Sequence, residues 1–177
     1  MKTISQIIGA QGRYLVCRWK PGVVGGLLNK GFSLDQARRK AVQSGALIGR
    51  DRINNIVVSS GLNLIALRLI GTSLSDLTWH AIGTGATAVF PSDSALVTEA
   101  KRLALATRSI SANVATLTVF YWASESTFHI KELGIFGGAA TSTPGSGTLF
   151  SRALYDYDNS AGSVDLTFDY VLTLTSL

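Results

Sequence analysis

The chain has 177 residues, the length of one domain or of one domain with an arm. Because 46% of the residues are hydrophobic, the composition excludes a wholly disordered protein. Only 15% are charged, where about a quarter is usual, and the single cysteine, Cys17, excludes a disulfide framework within one chain.

The excess of positive charge lies in the first third of the chain. Residues 1–52 carry ten Lys and Arg and two Asp, a net charge of +8, whereas residues 53–177 have a net charge of −3. This asymmetry is typical of a basic segment that binds an acidic or polyanionic partner. Residues 1–32 are also rich in glycine and show no sustained hydrophobic period, apart from a short strand over residues 14–19. We therefore predict an extended basic N-terminal arm over residues 1–52.

Two short helices are predicted. Ser33 and Gln36 have the spacing of a capping box, which starts a helix that should end near Gly45. A second helix is predicted over residues 60–70, with Gly71 in the position of a C-terminal glycine cap. Its apolar positions recur at helical spacing and should face the protein: Leu62, Ile65, Ala66 and Leu69.

Most of the chain after residue 71 follows the two-residue period of β-strands. The clearest case is residues 164–175, where apolar side chains alternate with polar ones, so that Asp165 and Asp169 should lie on a solvated face. Glycine-rich and proline-containing turns separate the strands. We predict a mainly β protein whose residues 53–177 form an antiparallel β-sandwich, with the helix near residues 60–70 over one end or face. The other predicted strands span residues 78–82, 103–110, 113–122, 128–136 and 148–155.

Few residues suggest catalysis. His80 and His129 both fall within strand patterns, and no Gly-x-Ser-x-Gly nucleophile elbow is present. The glycines at 83 and 85 lack the Gly-Lys-Ser/Thr of a phosphate-binding loop, so we interpret them as a turn. A hydrolase would have to use one of the histidines with scattered acids. These acids are Glu125, Glu132, Asp156, Asp158, Asp165 and Asp169. We predict no catalytic residue, no metal site and no cofactor.

The basic segment has the composition of a binding surface. Cations and aromatic residues alternate along it, a pattern that suits nucleic acid and equally suits a contact with another protein. The predicted interface residues are Arg13, Tyr14, Arg18, Trp19, Lys20, Arg38, Arg39 and Lys40.

From residue 54 onward the order and spacing of short motifs form a recognisable pattern over about 120 of the 177 residues. It comprises a Gly-Leu-Asn helix, a strand that ends in Gly-x-Gly, a Pro-x-x-x-x-Leu-x-x-Glu-x-x-Arg stretch, a Lys-Glu-Leu-Gly-Ile-Phe strand and a Gly-Thr-Leu segment followed by an arginine. This pattern resembles the baseplate-proximal, tail-collar module of tail fibre proteins from tailed bacteriophages. Its positions are Gly61, Leu62, Asn63, Gly83, Gly85, Pro91, Leu96, Glu99, Arg102, Lys131, Glu132, Leu133, Gly134, Ile135, Phe136, Gly147, Thr148, Leu149 and Arg152.

The resemblance implies a β-sandwich module of a phage particle, without catalytic residues. Beside it, the residues themselves predict that Glu132 pairs with Arg102 or Arg152, that Gly134 marks a bulge or a close backbone approach, and that Glu99 and Arg102 pair on a short helix.

The expected function is that of a tail fibre, baseplate or collar adaptor that assembles through its sandwich and is anchored by its basic arm. The alternatives are a capsid decoration protein and a nucleic-acid-binding protein that uses the arm. The expected partners are other virion proteins of the tail, baseplate, neck or capsid. DNA is a less favoured partner, and no membrane contact is expected. We expect a homo-oligomer, a trimer being one option, located in a virion assembled in the host cytoplasm.

Overall fold

Two five-stranded antiparallel sheets pack face to face in the computed structural model, which describes residues 8–71 and 76–176. The predicted antiparallel β-sandwich is confirmed. Sheet 1 has the strand order β2-β1-β10-β7-β6. Its strands are β1 (Ile8–Trp19), β2 (Leu47–Asn54), β6 (Thr107–Ser111), β7 (Val114–Tyr121) and β10 (Asp165–Ser176). Sheet 2 has the order β3-β9-β8-β4-β5. Its strands are β3 (Ile56–Val57), β4 (Leu77–Gly83), β5 (Glu99–Ala104), β8 (His129–Gly137) and β9 (Thr148–Asp158).

Among the described residues three α-helices lie outside the two sheets: α1 (Val23–Asn29), α2 (Leu34–Gln43) and α3 (Ser59–Leu69). The predicted capping box is confirmed, because the Ser33 hydroxyl accepts the Gln36 amide and the Gln36 side chain accepts the Ser33 amide. Gly45 and Gly71, which follow α2 and α3, have the positive φ angles expected of glycines at helix ends. No helix in the described ranges has the length and hydropathy needed to cross a bilayer.

The predicted arm is wrong for residues 8–52. β1 lies inside sheet 1 and pairs with β10 along its whole length, from Ile8 opposite Ser176 to Trp19 opposite Asp165. β2 pairs with the other side of β1. The basic segment is therefore part of the sandwich, and only residues 1–7 of the predicted arm lie outside the described residues. β2 shows no apolar two-residue period in the sequence, because Gly49 and Asp51 occupy two of its four inward positions.

The buried apolar residues of the described chain form three clusters. The main core lies between the sheets, where Tyr14, Phe150 and Phe168 are buried together. A second core lies on the outer side of sheet 1, under α1 and α2, and includes Cys17 and Trp19. A third, smaller cluster on the outer side of sheet 2 contains Leu96, Phe136 and Leu149 with Val58 and Ala81. Both sheets are thus covered on their outer faces over part of their area.

The second core corrects the prediction for the last strand. Asp165 and Asp169, expected on a solvated face, are 1% and 6% exposed, because α1 and α2 cover that face of β10. The backbone amides of Gly22 and Ala123 donate to Asp165, each at 2.8 Å. Burial nevertheless raises the pKa of Asp165 above its usual value.

Two further predictions need correction. The single strand expected over residues 103–110 is divided between β5 in sheet 2 and β6 in sheet 1. The amide of Leu105 bonds to Thr78 of sheet 2, and the next amide, that of Ala106, bonds to Thr118 of sheet 1. In α3 the buried positions are Gly61 and Leu64, whereas Leu62 and Leu69 of the predicted apolar stripe are 50% and 83% exposed.

Candidate functional site

Positions of the sequence pattern that begins at residue 54, although distant in sequence, meet on the outer side of sheet 2. β5, β4, β8 and β9 are consecutive strands of this sheet, and residues 84–98 form the connection from β4 to β5. Two buried ion pairs lie on this side, one between β8 and β9 and one within β5, and members of each also bond to a loop backbone. We call this assembly of pattern residues and loops the outer cluster.

Glu132 is the centre of the first ion pair and is fully buried. One carboxylate oxygen accepts the amides of Gly85 at 3.1 Å and Thr98 at 2.7 Å. The other accepts the amide of Val97 at 3.0 Å and Arg152 Nε at 3.0 Å. The carboxylate thus attaches both ends of the 84–98 loop to β8. The expectation that Glu132 pairs with Arg102 or Arg152 is confirmed for Arg152.

Arg152 extends the same network from β9 into the middle of the loop. Its Nη1 donates to Asp93 Oδ2 at 2.9 Å and to the Ala88 carbonyl at 3.2 Å, and its Nη2 donates to the Thr87 carbonyl at 3.1 Å. Its side chain is 1% exposed. A guanidinium that bonds to backbone carbonyls and two carboxylates fixes the loop conformation, because each buried donor has an acceptor.

Glu99 and Arg102 form the second ion pair. Both lie on β5, so the predicted short helix is wrong, although the predicted pairing is confirmed. Arg102 Nε and Nη2 each donate to Glu99 at 2.7 Å in a bidentate arrangement. Arg102 Nη1 donates to the Ser146 carbonyl at 2.8 Å, and its guanidinium lies 4.0 Å from the centre of the Phe136 ring. This pair connects the loop between β8 and β9 to β5.

Two pattern glycines allow close packing in the outer cluster. A Cβ at Gly85 would overlap the Glu132 carboxylate, and one at Gly134 would lie 2.9 Å from Leu96 Cδ2. Gly83 and Gly61 are similarly crowded, by the Thr98 and Phe150 carbonyls respectively, whereas Gly147 has a positive φ. The close approach predicted at Gly134 is confirmed. Gly83 belongs to β4, and Gly85 belongs to the loop that follows it.

The remaining pattern positions occupy the border of the outer cluster. The Pro91 carbonyl accepts the Ser59 amide at 2.8 Å and so joins the 84–98 loop to the start of α3. Asn63 lies on α3 and is exposed. On the same side, Phe90 and Val97 are 57% and 54% exposed, so the loop carries apolar side chains on its outer surface.

The residues predicted as an arm interface do not form one surface. Tyr14 and Trp19 are buried in different cores, and Trp19 Nε1 donates to Thr167 Oγ1 at 3.0 Å. Arg18 pairs with Asp51, and Arg38 pairs with Asp169. The predicted interface is therefore wrong for these two aromatic residues. The cations that stay exposed are Arg13, Lys20, Arg39 and Lys40.

A groove of about 510 Å³ separates α2 from β2 on the outer side of sheet 1. Leu15, Cys17 and Trp19 are on its sheet side, and Arg39 and Arg50 line it as cations. The groove was not predicted, because it requires β2 and α2 to pack side by side on β1. The concentration of basic residues in the first 52 positions was its only signal in the sequence.

The two histidines occupy different environments. His80 is buried between the sheets, where desolvation lowers its pKa to about 3. Its Nδ1 lies 3.0 Å from the Tyr121 hydroxyl, which itself donates to the His80 carbonyl, an arrangement that favours the tautomer with the proton on Nδ1. His129 is on the surface and pairs with Asp156. The acids named for a hydrolase are dispersed over the molecule, and three of them, Glu132, Asp165 and Asp169, are buried.

The Glu125 carboxylate accepts a hydrogen bond from the Trp122 amide at 3.1 Å. It also lies 3.6 Å from Lys101 Nζ. Asp158 accepts the Ser160 amide at 2.9 Å, and hydrogen bonds from Ser160 lower the pKa of this carboxyl. These contacts organise turns and connect neighbouring segments.

Comparisons with protein-family models, with curated protein sequences and with solved structures found no match to this chain. The function must therefore be inferred from the contacts within the chain and from the sequence pattern.

Proposed function

We propose that the protein is a non-enzymatic structural component of a tailed-phage virion, acting as an adaptor in the tail fibre, baseplate or collar. The observation that carries this proposal is the outer cluster. Glu132, Arg152, Glu99 and Arg102, which belong to the fibre-like sequence pattern, are buried together with loops on one side of sheet 2. The pattern thus corresponds to a set of mutually dependent contacts in the fold.

The chemistry of the outer cluster suits assembly. Both ion pairs are saturated with hydrogen bonds to loop backbone, so they hold a surface in shape. On that surface Phe90 and Val97 are exposed. Exposed apolar groups on a fixed loop favour contact with another protein, since burying them in an interface removes apolar area from water.

The means of attachment differs from the one predicted by charge alone. Because residues 8–52 belong to the sandwich, the basic surface is the region around α2 and β2, with its groove. We propose that this surface, in place of an extended arm, contacts an acidic face of a neighbouring virion protein.

Quantitative mass spectrometry of purified particles, with gold-labelled antibody to locate the chain, tests the proposal. A tail, baseplate or collar adaptor should be far scarcer than the major capsid subunit and labelled at the tail. A copy number comparable with that of the capsid subunit, with label over the head, would instead support the decoration alternative. Absence of the chain from mature particles would contradict both.

The nucleic-acid alternative rests on the exposed cations Arg13, Lys20, Arg39 and Lys40. Tyr14 and Trp19 are buried, so neither can stack on bases in this conformation. DNA binding through these cations should weaken steeply with salt and fall in an Arg39→Ala, Lys40→Ala double variant. Absence of DNA binding in the unchanged chain at low salt would eliminate this alternative.

A further inference from the structure

Two sheet edges lie next to each other on one side of the sandwich. β2 forms an edge of sheet 1. β3 pairs only with Ser151 and Arg152 of β9, so within the described residues β9 has no neighbour on that side from residue 153 onward. The Tyr155 hydroxyl donates to Asp51 at 2.9 Å, which places both edges on the same side of the molecule. Such edges present backbone donors and acceptors that can pair with another strand.

The exposed side chains along these two edges have complementary chemistry. On β2, exposed residues alternate with inward ones at positions 48, 50 and 52, and on β9 they do so at positions 154, 156 and 158. Alternate residues of a strand share a face, so each set forms one row. The β2 row is Ile48, Arg50 and Arg52, and the β9 row is Leu154, Asp156 and Asp158. Each row begins with an aliphatic residue and continues with two like charges.

The charges in these rows are largely available to a partner. Neither Arg50 nor Arg52 forms an ion pair with another described residue, and both are exposed. The Asp156 side chain is 84% exposed and pairs with His129. Hydrogen bonds from Ser160 lower the pKa of Asp158, so this carboxylate is charged at neutral pH.

We propose that a second copy of this chain docks on this side of the sandwich, with β2 of each copy beside β9 of the other. Arg50 is the middle residue of the β2 row and Asp156 is the middle residue of the β9 row. In the register that aligns the two middle residues, Arg50 lies opposite Asp156 in either strand direction. Within one chain β2 runs antiparallel to β9, because Phe150 packs on Tyr170 and Tyr155 on Phe168. A twofold axis that exchanges the two edges keeps this direction, so Ile48 faces Asp158 and Arg52 faces Leu154. Because each copy carries both edges on one side, a twofold axis forms both pairings at once and the assembly closes as a dimer.

Sedimentation velocity on the full chain over a concentration series tests this dimer. We expect a dimer for the unchanged protein. Arg50→Glu alone and Asp156→Arg alone should each raise the dissociation constant at least tenfold, because each juxtaposes like charges twice. An equimolar mixture of the two variants should restore the dimer, since both contacts in the mixed pair are again between opposite charges. Arg108→Glu, on the opposite edge of sheet 1, is the matched control and should remain dimeric.

Each result decides the proposal. A monomer or a trimer for the unchanged chain, dimers of undiminished stability in both single variants, or failure of the mixture to recover would overturn it. A second measurement does not depend on charge: mixed Arg50→Cys and Asp156→Cys chains should form an intermolecular disulfide on mild oxidation, because cross-strand neighbours have suitable Cβ separations. Absence of this crosslink would also count against the pairing. The dimer does not depend on the proposed function, and particle mass spectrometry tests that function separately.

Discussion

Arg38 on α2 and Asp169 on β10 form a bidentate ion pair beneath the second core, with nitrogen-to-oxygen distances of 2.8 and 2.5 Å. Their side chains are 19% and 9% exposed. The hydroxyl of Thr118 on β7 donates to the same carboxylate at 2.8 Å. The neighbouring carboxylate raises the pKa of Arg38 despite burial. A helix that was predicted as part of a free arm is thereby connected to the centre of sheet 1.

Arg38→Ala should lower the free energy of unfolding by about 2–4 kcal/mol, because it leaves Asp169 buried with only one of its side-chain donors. Urea denaturation followed by tryptophan fluorescence measures this change. Arg39→Ala is the matched control: the next residue is exposed and should change stability by no more than about 0.5 kcal/mol. Equal effects of the two substitutions would contradict the assigned role of Arg38.

His80 should make stability depend on pH. Because burial lowers its pKa to about 3, the folded chain keeps this imidazole neutral at pH values where the unfolded chain protonates it. Above about pH 6.5 His80 is neutral in both states and does not change the free energy of unfolding. As the pH falls from there toward 3, protonation of His80 in the unfolded chain lowers the free energy of unfolding. Between pH 7 and pH 5 the loss attributable to His80 should be about 2 kcal/mol.

Comparison with His80→Phe isolates this contribution, since all other titrating groups are shared. Phenylalanine preserves an aromatic ring beside Phe168, and Tyr121 retains its bond to the carbonyl of residue 80. Chemical denaturation at both pH values should show a smaller decrease for the variant. Parallel pH profiles for the two proteins would mean that His80 titrates normally.

Glu132→Gln should destabilise the chain by about 3–5 kcal/mol, because it removes the fully buried one of the two carboxylates that compensate buried Arg152. The local effect should be faster hydrogen exchange at the amides of Gly85, Val97 and Thr98, which the carboxylate accepts. Asp76→Asn, in the exposed pair with Arg68, serves as the control. It should change neither the free energy of unfolding nor hydrogen exchange at these three amides. Unaltered exchange at the three amides in the Glu132 variant would show that other contacts hold the loop.

Two adjacent glycines of α1 should respond in opposite directions to alanine. A Cβ at Gly25 would overlap the Trp122 ring, so Gly25→Ala should cost about 1–3 kcal/mol. A Cβ at Gly26 would meet no atom within 4 Å, so Gly26→Ala should stabilise by about 0.5–1 kcal/mol through its better helix propensity. Thermal unfolding of both variants measures whether each substitution raises or lowers stability. A change in the same direction for both variants would contradict the packing of α1 on Trp122.

Local sequence signals predicted much of the fold. The capping box at Ser33 and the C-terminal glycine at Gly71 act through adjacent backbone groups, so they could be identified without tertiary information. The strict alternation in β10 and the apolar strands around it predicted a sandwich. In the outer cluster, the partner of Glu132 was narrowed to two arginines because a charge within an apolar strand requires compensation.

The strands around residues 113–175, the ends of α2 and α3 and the need to pair Glu132 follow from the sequence, because those features depend on spacing and on the cost of burying a charge. Only the tertiary structure decided that residues 8–52 are part of the sandwich, since strand partners such as Arg18 and Leu166 are far apart in the chain and leave no periodic signal. It likewise decided that Asp169 is buried, because α2 covers a face whose polar pattern is that of a solvated one. The charge asymmetry is a property of the sequence, but its placement at a groove and a sheet edge follows from packing.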